Sequence, residues 1–505
     1  VTAQNTAARD RAAQGQRVDF IRAVRLAGPS GVPFGDDPVD LLIEQGRIAD
    51  IAPTGALRPQ GIVLDGEGCR AVPGLWDHHV HTVQWALNAD RVQLGAARTA
   101  TEAAALMADA APLADGRLIG AGMRDALWPD EPTLQALDDA TGERPAYLIN
   151  ADVHSVWLNS AAFRREGFAS TADGMLREED AFEISRRLNT ADDVTADAAV
   201  RRAGQRAAAR GVTGIVDFDM AWNAAAWQRR TASGFDAHRV EFAFYAADLQ
   251  RAMAEGLRSG EQLPGADGLV HVGSLKLITD GSLGTRTAAC SHAYGDDPAN
   301  FGVFTIEPDE LRAFLTTATA AGIDVAVHAI GDRAVASALD AFTYTQAQGT
   351  IEHAQLVRHA DLARFARLGA VASVQPEHAV DDRELVGSLW QHQQAISHPV
   401  ASLLNAGVPV RFGSDAPVAP LDPWLTIAAA VHRTGDERAS WHPEERVPIE
   451  AALRASSHRG GTDLELGGVA DLVLCGTDPL TADREQLIRM PVAATLLGGR
   501  VTHLG

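Results

Sequence analysis

At 505 residues the chain is longer than one compact core of ordinary size organises, so one large domain with a smaller companion is expected. Asp and Glu number 66 against 44 Lys and Arg, a net charge of -22, and the arginines are scattered, which excludes nucleic acid and anionic membrane as natural partners. The three cysteines, Cys69, Cys290 and Cys475, lie far apart without a CxxC pair, so no disulfide framework is read and a reducing compartment is expected.

Residues 1–16 are polar, rich in Ala and Gln, and lack the apolar run of a secretory signal or membrane anchor; a disordered tail on a soluble, cytoplasmic protein is expected. From about 17 to 72 short strands and turns follow one another: Phe20 to Leu26, Asp40 to Glu44, Gly46 to Ile48 and Ile62 to Leu64. The texture returns after about 458, in Ala470 to Leu474, Ala493 to Leu497 and Gly499 to Thr502. Residues 17–72 and 458–505 are therefore expected to pair into one composite β-sandwich.

Between them, residues 73–457 alternate apolar runs with Ala- and Arg-rich helical stretches, the pattern of βα units around a parallel sheet. Eight candidate strands are read: Gly74 to Val80, Gly214 to Asp217, Val240 to Tyr245, Gly273 to Ile278, Asp324 to His328, Thr350 to His353, Val371 to Val374 and Val408 to Phe412. Eight such units predict an α/β fold, a closed (β/α)8 TIM-like barrel whose chemistry gathers at the C-terminal ends of its strands. The stretch from about 85 to 205 is too long for one crossover. With its own strand-like runs, Arg117 to Gly120 and Ala146 to Ile149, it reads as an inserted segment.

Lys276 is the only lysine in the chain. Arginine serves equally as a surface charge, but only a lysine ammonium gives up its proton when desolvated. The neutral amine can act as a nucleophile, form a Schiff base or take up carbon dioxide as a metal-binding carbamate. Ser274 to Ile278 alternates like a strand and runs into the turn signal Asp280-Gly281-Ser282, which places the amine near a strand end. His79 and His81, two apart on the first strand, share a face, while His78 points the other way. His328 ends the fifth strand, His353 the sixth, and Asp415 follows the eighth. Four imidazoles, a carboxylate and an amine converging on one barrel mouth are resolved by a metal centre.

These residues stand in motifs. Leu275-Lys276 through Asp280 to Ala288, Val327 to Val335, Ile351-Glu352-His353-Ala354-Gln355, Ser373 to His378, Phe412 to Val418, and Asp152 to Ser160 in the insertion resemble the amidohydrolase superfamily of metal-dependent hydrolases. Within it they resemble the YtcJ-like branch that includes N-substituted formamide deformylases, from about residue 17 to the C-terminus. The resemblance implies a binuclear centre in which His79, His81 and Asp415 hold the more buried ion and His328 and His353 the more exposed one. It also implies a bridge by Lys276, carboxylated on its amine; some relatives bind a single ion. Nitrogen and oxygen donors without cysteine suit zinc, with manganese, iron or nickel set by availability.

The activity implied is hydrolysis of a non-peptide C–N bond in a small N-acyl, N-formyl or cyclic amide by a metal-activated hydroxide, with Asp415 passing the proton from water to the departing nitrogen. An amino-heterocycle deaminase using the same centre is the alternative within enzymes, and a catalytically silent scaffold the alternative outside them. His154, Trp157, Asn159, Arg286, Gln375 and His378 are candidate substrate contacts, each with a bland reading as a cap, an anchor, a core residue or a loop hydrogen bond. Trp85, Trp128 and Trp157 form either an apolar wall or ordinary core. The partner expected is a small molecule, with homo-oligomer formation left open.

Overall fold

The computed structural model describes residues 13–27, 35–88, 91–113, 115–125, 128–150, 155–177, 179–266, 268–295, 297–458 and 464–505. The chain divides into two compact units, Val1–Thr82 with Gly204–Gly505, and Val83–Ala203.

The larger unit contains eight parallel strands paired in chain order: Leu75–Val80, Val212–Asp217, Arg239–Tyr245, Val270–Ile278, Val325–Ala329, Gly349–His353, Val371–Val374 and Val410–Phe412. We number them first to eighth. They are almost wholly buried, as a parallel sheet covered on both faces must be, which is why they read as near-continuous apolar runs. Their helices bury one stripe. Leu311, Leu315 and Ala318 recur at helical spacing in Pro308–Ala320, and Val335, Leu339 and Phe342 do so in Asp332–Thr345.

The barrel closes between its eighth and first strands through residues already singled out. Asp415 N–H donates to the His79 carbonyl at 2.8 Å, and His81 N–H donates to the Ala416 carbonyl at 2.9 Å. Asp77 Oδ1 accepts from the backbone N–H groups of His79 at 3.1 Å and Ser414 at 2.9 Å. The approach is so close that a Cβ on Gly413 would lie 2.6 Å from His79 N, so only glycine fits there. This is the (β/α)8 barrel that the alternation of elements predicts.

Strands from both ends of the chain lie in one further sheet, in the order Arg500–Leu504, Val492–Leu497, Leu472–Cys475, Arg70–Pro73, Phe20–Leu26, Val39–Glu44 and Arg47–Pro53, with Val63–Asp65 also beside Phe20–Leu26. Phe20–Leu26 pairs with Val39–Glu44 at its start and with Arg70–Pro73 at its end, changing neighbours at an irregularity where Ala23 has φ +55. Arg70–Pro73, absent from the sequence reading, is the strand that joins the two sets, running antiparallel to Leu472–Cys475. Val24, Leu41, Ile43, Leu472, Leu496 and Val501 share one apolar core. Residues 13–16 correct part of the expected tail: Gly15 N–H donates to the Val501 carbonyl and Val501 N–H to that of Gln16.

The smaller unit carries a five-stranded sheet, Met175–Arg177, Ser155–Leu158, Ala146–Asn150, Leu118–Met123 and Val92–Gln93 in that order. Alternate residues feed two cores. Leu118, Leu148, Trp157 and Met175 face one, and Ile119, Tyr147, Ile149, Val156, Leu158 and Leu176 the other. No disulfide joins the three cysteines. No helix among the described residues is long and apolar enough to cross a membrane.

Candidate metal centre

The ends of the first, fourth, fifth, sixth and eighth strands carry His79 and His81, Lys276, His328, His353 and Asp415. Nitrogen and oxygen atoms of His79, His81 and Asp415 lie within 4.8 Å of one another, as do those of His353, His378 and Asp415. Asp415 is common to both groups. Its Oδ1 is 3.5 Å from His79 Nε2 and 3.4 Å from His81 Nε2, and its Oδ2 is 3.8 Å from His378 Nε2. Lys276 Nζ lies 3.5 Å from His79 Nε2 and 4.1 Å from the centroid of the Phe218 ring. The His328 and His353 ring centroids are 4.5 Å apart, and those of His79 and His353 4.9 Å.

The backbone is unusual at two of these positions. His353 (φ +69) and Asp415 (φ +59) occupy the left-handed region, which costs a side chain with a Cβ energy and persists where surroundings impose it. At Asp415 the imposing contacts are the backbone bonds to the first strand that close the barrel.

Protonation states suit a cation. Burial, reinforced by the Lys276 charge, pushes His79 well below the ordinary imidazole range and His328 to about 4. Burial and the facing imidazoles of His328 and His79 do the same to His353. Burial alone would raise the Asp415 carboxyl, but His79, His81 and His378 outweigh it and hold the group well below the usual carboxylate range. Neutral imidazoles around an ionised carboxylate are the ligand forms a divalent metal needs. His378 Nε2, buried and without a hydrogen-bond partner among the described residues, is a further donor of the right kind. The residues present therefore fit a metal ion. Lys276 is lowered by burial to about 8, bringing its neutral amine within reach of ordinary pH.

Around this cluster sits a supporting layer that the sequence reading passed over. Glu352 Oε2 is 2.7 Å from His79 Nδ1, with both side chains only 1% exposed, and Glu352 Oε1 accepts from Thr350 Oγ1. A carboxylate on Nδ1 fixes the proton there and leaves Nε2 free as a ligand. The signal was present: an acidic residue inside an apolar strand must be paired. Asp280, read as part of a turn signal, accepts from the backbone N–H groups of Ile330, Gly331 and Ala289, tying the loop after the fourth strand to the loop after the fifth.

Residues 63–503 match the family described as the amidohydrolase family. The chain belongs to it. This amidohydrolase is 29% identical over 530 aligned residues to Protein LONG AFTER FAR-RED 3 of Arabidopsis thaliana, covering 93% of this chain and 89% of the relative. It is 25% identical to the N-substituted formamide deformylase of Arthrobacter pascens, covering 91% and 94% of the two chains. Against the putative amidohydrolase YtcJ of Bacillus subtilis the identity is also 25%, over 88% and 91%. An uncharacterised metal-dependent hydrolase from Pyrococcus horikoshii shares the fold with a TM-score of 0.77 at 24% identity, over 92% of this chain and 99% of that one. Family and cluster together support a metal-dependent amidohydrolase holding a divalent ion.

The candidate substrate contacts separate. His378, expected in the pocket or behind the ligands, stands within ligand distance of Asp415, with its ring stacked on His353 at 6.0 Å. Gln375 is buried beside it, its Nε2 3.4 Å from His79 Nδ1. Two others take the cap and core places that were their other reading. Asn159 is fully buried and uses its amide within its own unit: Oδ1 accepts from Ala146 and Ala162 N–H, and Nδ2 donates to Thr141 Oγ1 and to the Gly142 and Arg144 carbonyls. Trp157 is fully buried core, its Nε1 donating to the Thr133 carbonyl. Trp128 packs on the same core and donates to the Ala97 carbonyl, and Trp85 is buried. Arg286 lies exposed on the loop after the fourth strand, its carbonyl accepting from Asn300 Nδ2. His154 lies outside the described residues.

Proposed function

We propose that this amidohydrolase hydrolyses a C–N bond other than a peptide bond in a small N-acyl, N-formyl or cyclic amide. The observation that carries the reading is the sharing of Asp415 by two ligand groups, with the amine of Lys276 beside them. His79, His81 and Asp415 would hold one ion, and His353 with His328 or His378 a second. Lys276, carboxylated on Nζ, would bridge them, and zinc suits this donor set best. A divalent ion bound here supplies a Lewis acid that polarises a carbonyl oxygen and makes water nucleophilic near neutral pH.

The chain's own residues supply the proton transfers. Asp415 is ionised at neutral pH, so it can accept the proton that water loses on attack. Its two oxygens face different imidazoles, which places the same carboxyl to return that proton to the departing nitrogen. Glu352 keeps His79 in one tautomer throughout. The name of the formamide deformylase relative accords with a small amide substrate. The test is hydrolysis across N-acyl amines, N-formyl amines, cyclic imides and amino-heterocycles with zinc or manganese added. A carboxylate plus an amine as products supports the reading, and ammonia release from a heterocycle alone contradicts it.

A further inference from the structure

Beside His353 lies a cavity of about 10 Å³, with His353, Gln355, Gln375, His398 and Arg433 as its polar lining. That is about the room of one water molecule. Three atoms of its lining residues are buried and lack any hydrogen-bond partner among the described residues: His353 Nδ1, Gln375 Oε1 and Arg433 Nη2. They come from the sixth strand, the end of the seventh, and the C-terminus of helix Pro423–His432. A buried polar group left unpaired is destabilising, so three on residues lining one small cavity call for a common partner.

The nearby polar groups are engaged elsewhere. Arg433 already donates from Nε to the Trp441 carbonyl at 3.2 Å and from Nη1 to the His398 carbonyl at 3.4 Å. Gln355 Nε2 is shared between Asp382 Oδ2 at 2.9 Å and His398 Nε2 at 2.8 Å, which makes that histidine nitrogen an acceptor. Gln375 Nε2 donates to the Ser373 carbonyl at 3.4 Å, and Oε1 is the amide atom without a partner among the described residues.

We propose that one structural water occupies this cavity, accepting from Arg433 Nη2 and His353 Nδ1 and donating to Gln375 Oε1, and so keeps the His353 proton on Nδ1 and leaves Nε2 free to hold a metal. The assignment rests on the hydrolase reading only for that last clause. A halide beside the buried guanidinium is the rival occupant, but it could not donate to Gln375 Oε1. Gln375 and Arg433 are then positioning residues, acting on His353 through the water as Glu352 acts on His79 directly.

A crystal structure of the wild-type enzyme at a resolution that shows ordered water, determined with and without bromide in the medium, is the test. The expected result is a peak within hydrogen-bond distance of all three atoms, unchanged by bromide. A peak that bromide replaces, or His353 Nδ1 bonded to a protein atom, overturns the proposal. Gln375→Leu and Arg433→Met should each weaken zinc affinity about tenfold in chelator competition, the scale of losing a partner behind a ligand. Lower thermal stability with unchanged zinc affinity would show that these residues only support the fold, and would overturn their positioning role. The water in place in a protein that binds no metal would strike the hydrolase reading and leave the water site standing.

Discussion

At the scale of single residues, Asp415 and Lys276 carry the strongest expectations. Asp415→Asn removes a proton acceptor and weakens a ligand at once, so turnover should fall about a hundredfold or more while substrate binding changes little; steady-state kinetics decide, and near-normal turnover contradicts the role. Lys276→Arg should be as damaging as Lys276→Ala, because neither carries a carbamate, and short carboxylic acids should restore only the alanine variant. The amine also predicts a pH dependence. Burial lowers Lys276 to about 8 in the metal-free chain, so its neutral, carbon dioxide-capturing fraction grows about tenfold per pH unit below that value and levels off above it. Reactivation of metal-stripped protein at a fixed concentration of dissolved carbon dioxide should follow that curve, and a rate flat from pH 6 to 8 under that condition would contradict it. The lone lysine and the strand-end histidines were legible because residue type and strand position are local facts. For Glu352 only the need of a partner was legible, not the partner, because His79 lies 273 positions away and only barrel closure brings them together.

At the scale of elements, the critical seam is the one between the first and eighth strands. Gly413→Ala places a methyl group 2.6 Å from His79 N and 2.7 Å from His79 Cβ, so the first strand must shift and carry two ligands with it. Overpacking of this kind costs on the order of 1–3 kcal/mol. Thermal unfolding should show that loss together with weakened metal affinity, and a variant with unchanged melting and metal binding would contradict the account of closure. The eight strands were legible because buried parallel strands are apolar runs bounded by turns. Arg70–Pro73 was not: four residues ending in proline carry little strand signal, and their pairing with Leu472–Cys475 depends on contacts about 400 residues distant in sequence. The motif around Trp157 and Asn159 was legible as a motif, with pocket and core or cap readings both open. Its residue types serve packing and helix capping in the smaller unit.

At the scale of the whole molecule, both ends of the chain complete one β module. Removing residues from about 460 onward strips Leu472, Leu474, Leu496 and Val501 from a shared core and leaves Arg70–Pro73 as an unpaired edge, so the truncated chain should be insoluble. A soluble, folded truncation would show the ends to be independent. The central claim, that the barrel mouth is a metal centre, is tested most directly by elemental analysis of the purified full chain after growth with zinc and manganese. At least one divalent transition-metal ion per chain is expected, removed by chelation and lost from a His79→Ala, His81→Ala variant. Protein that binds no stoichiometric metal under those conditions would contradict it.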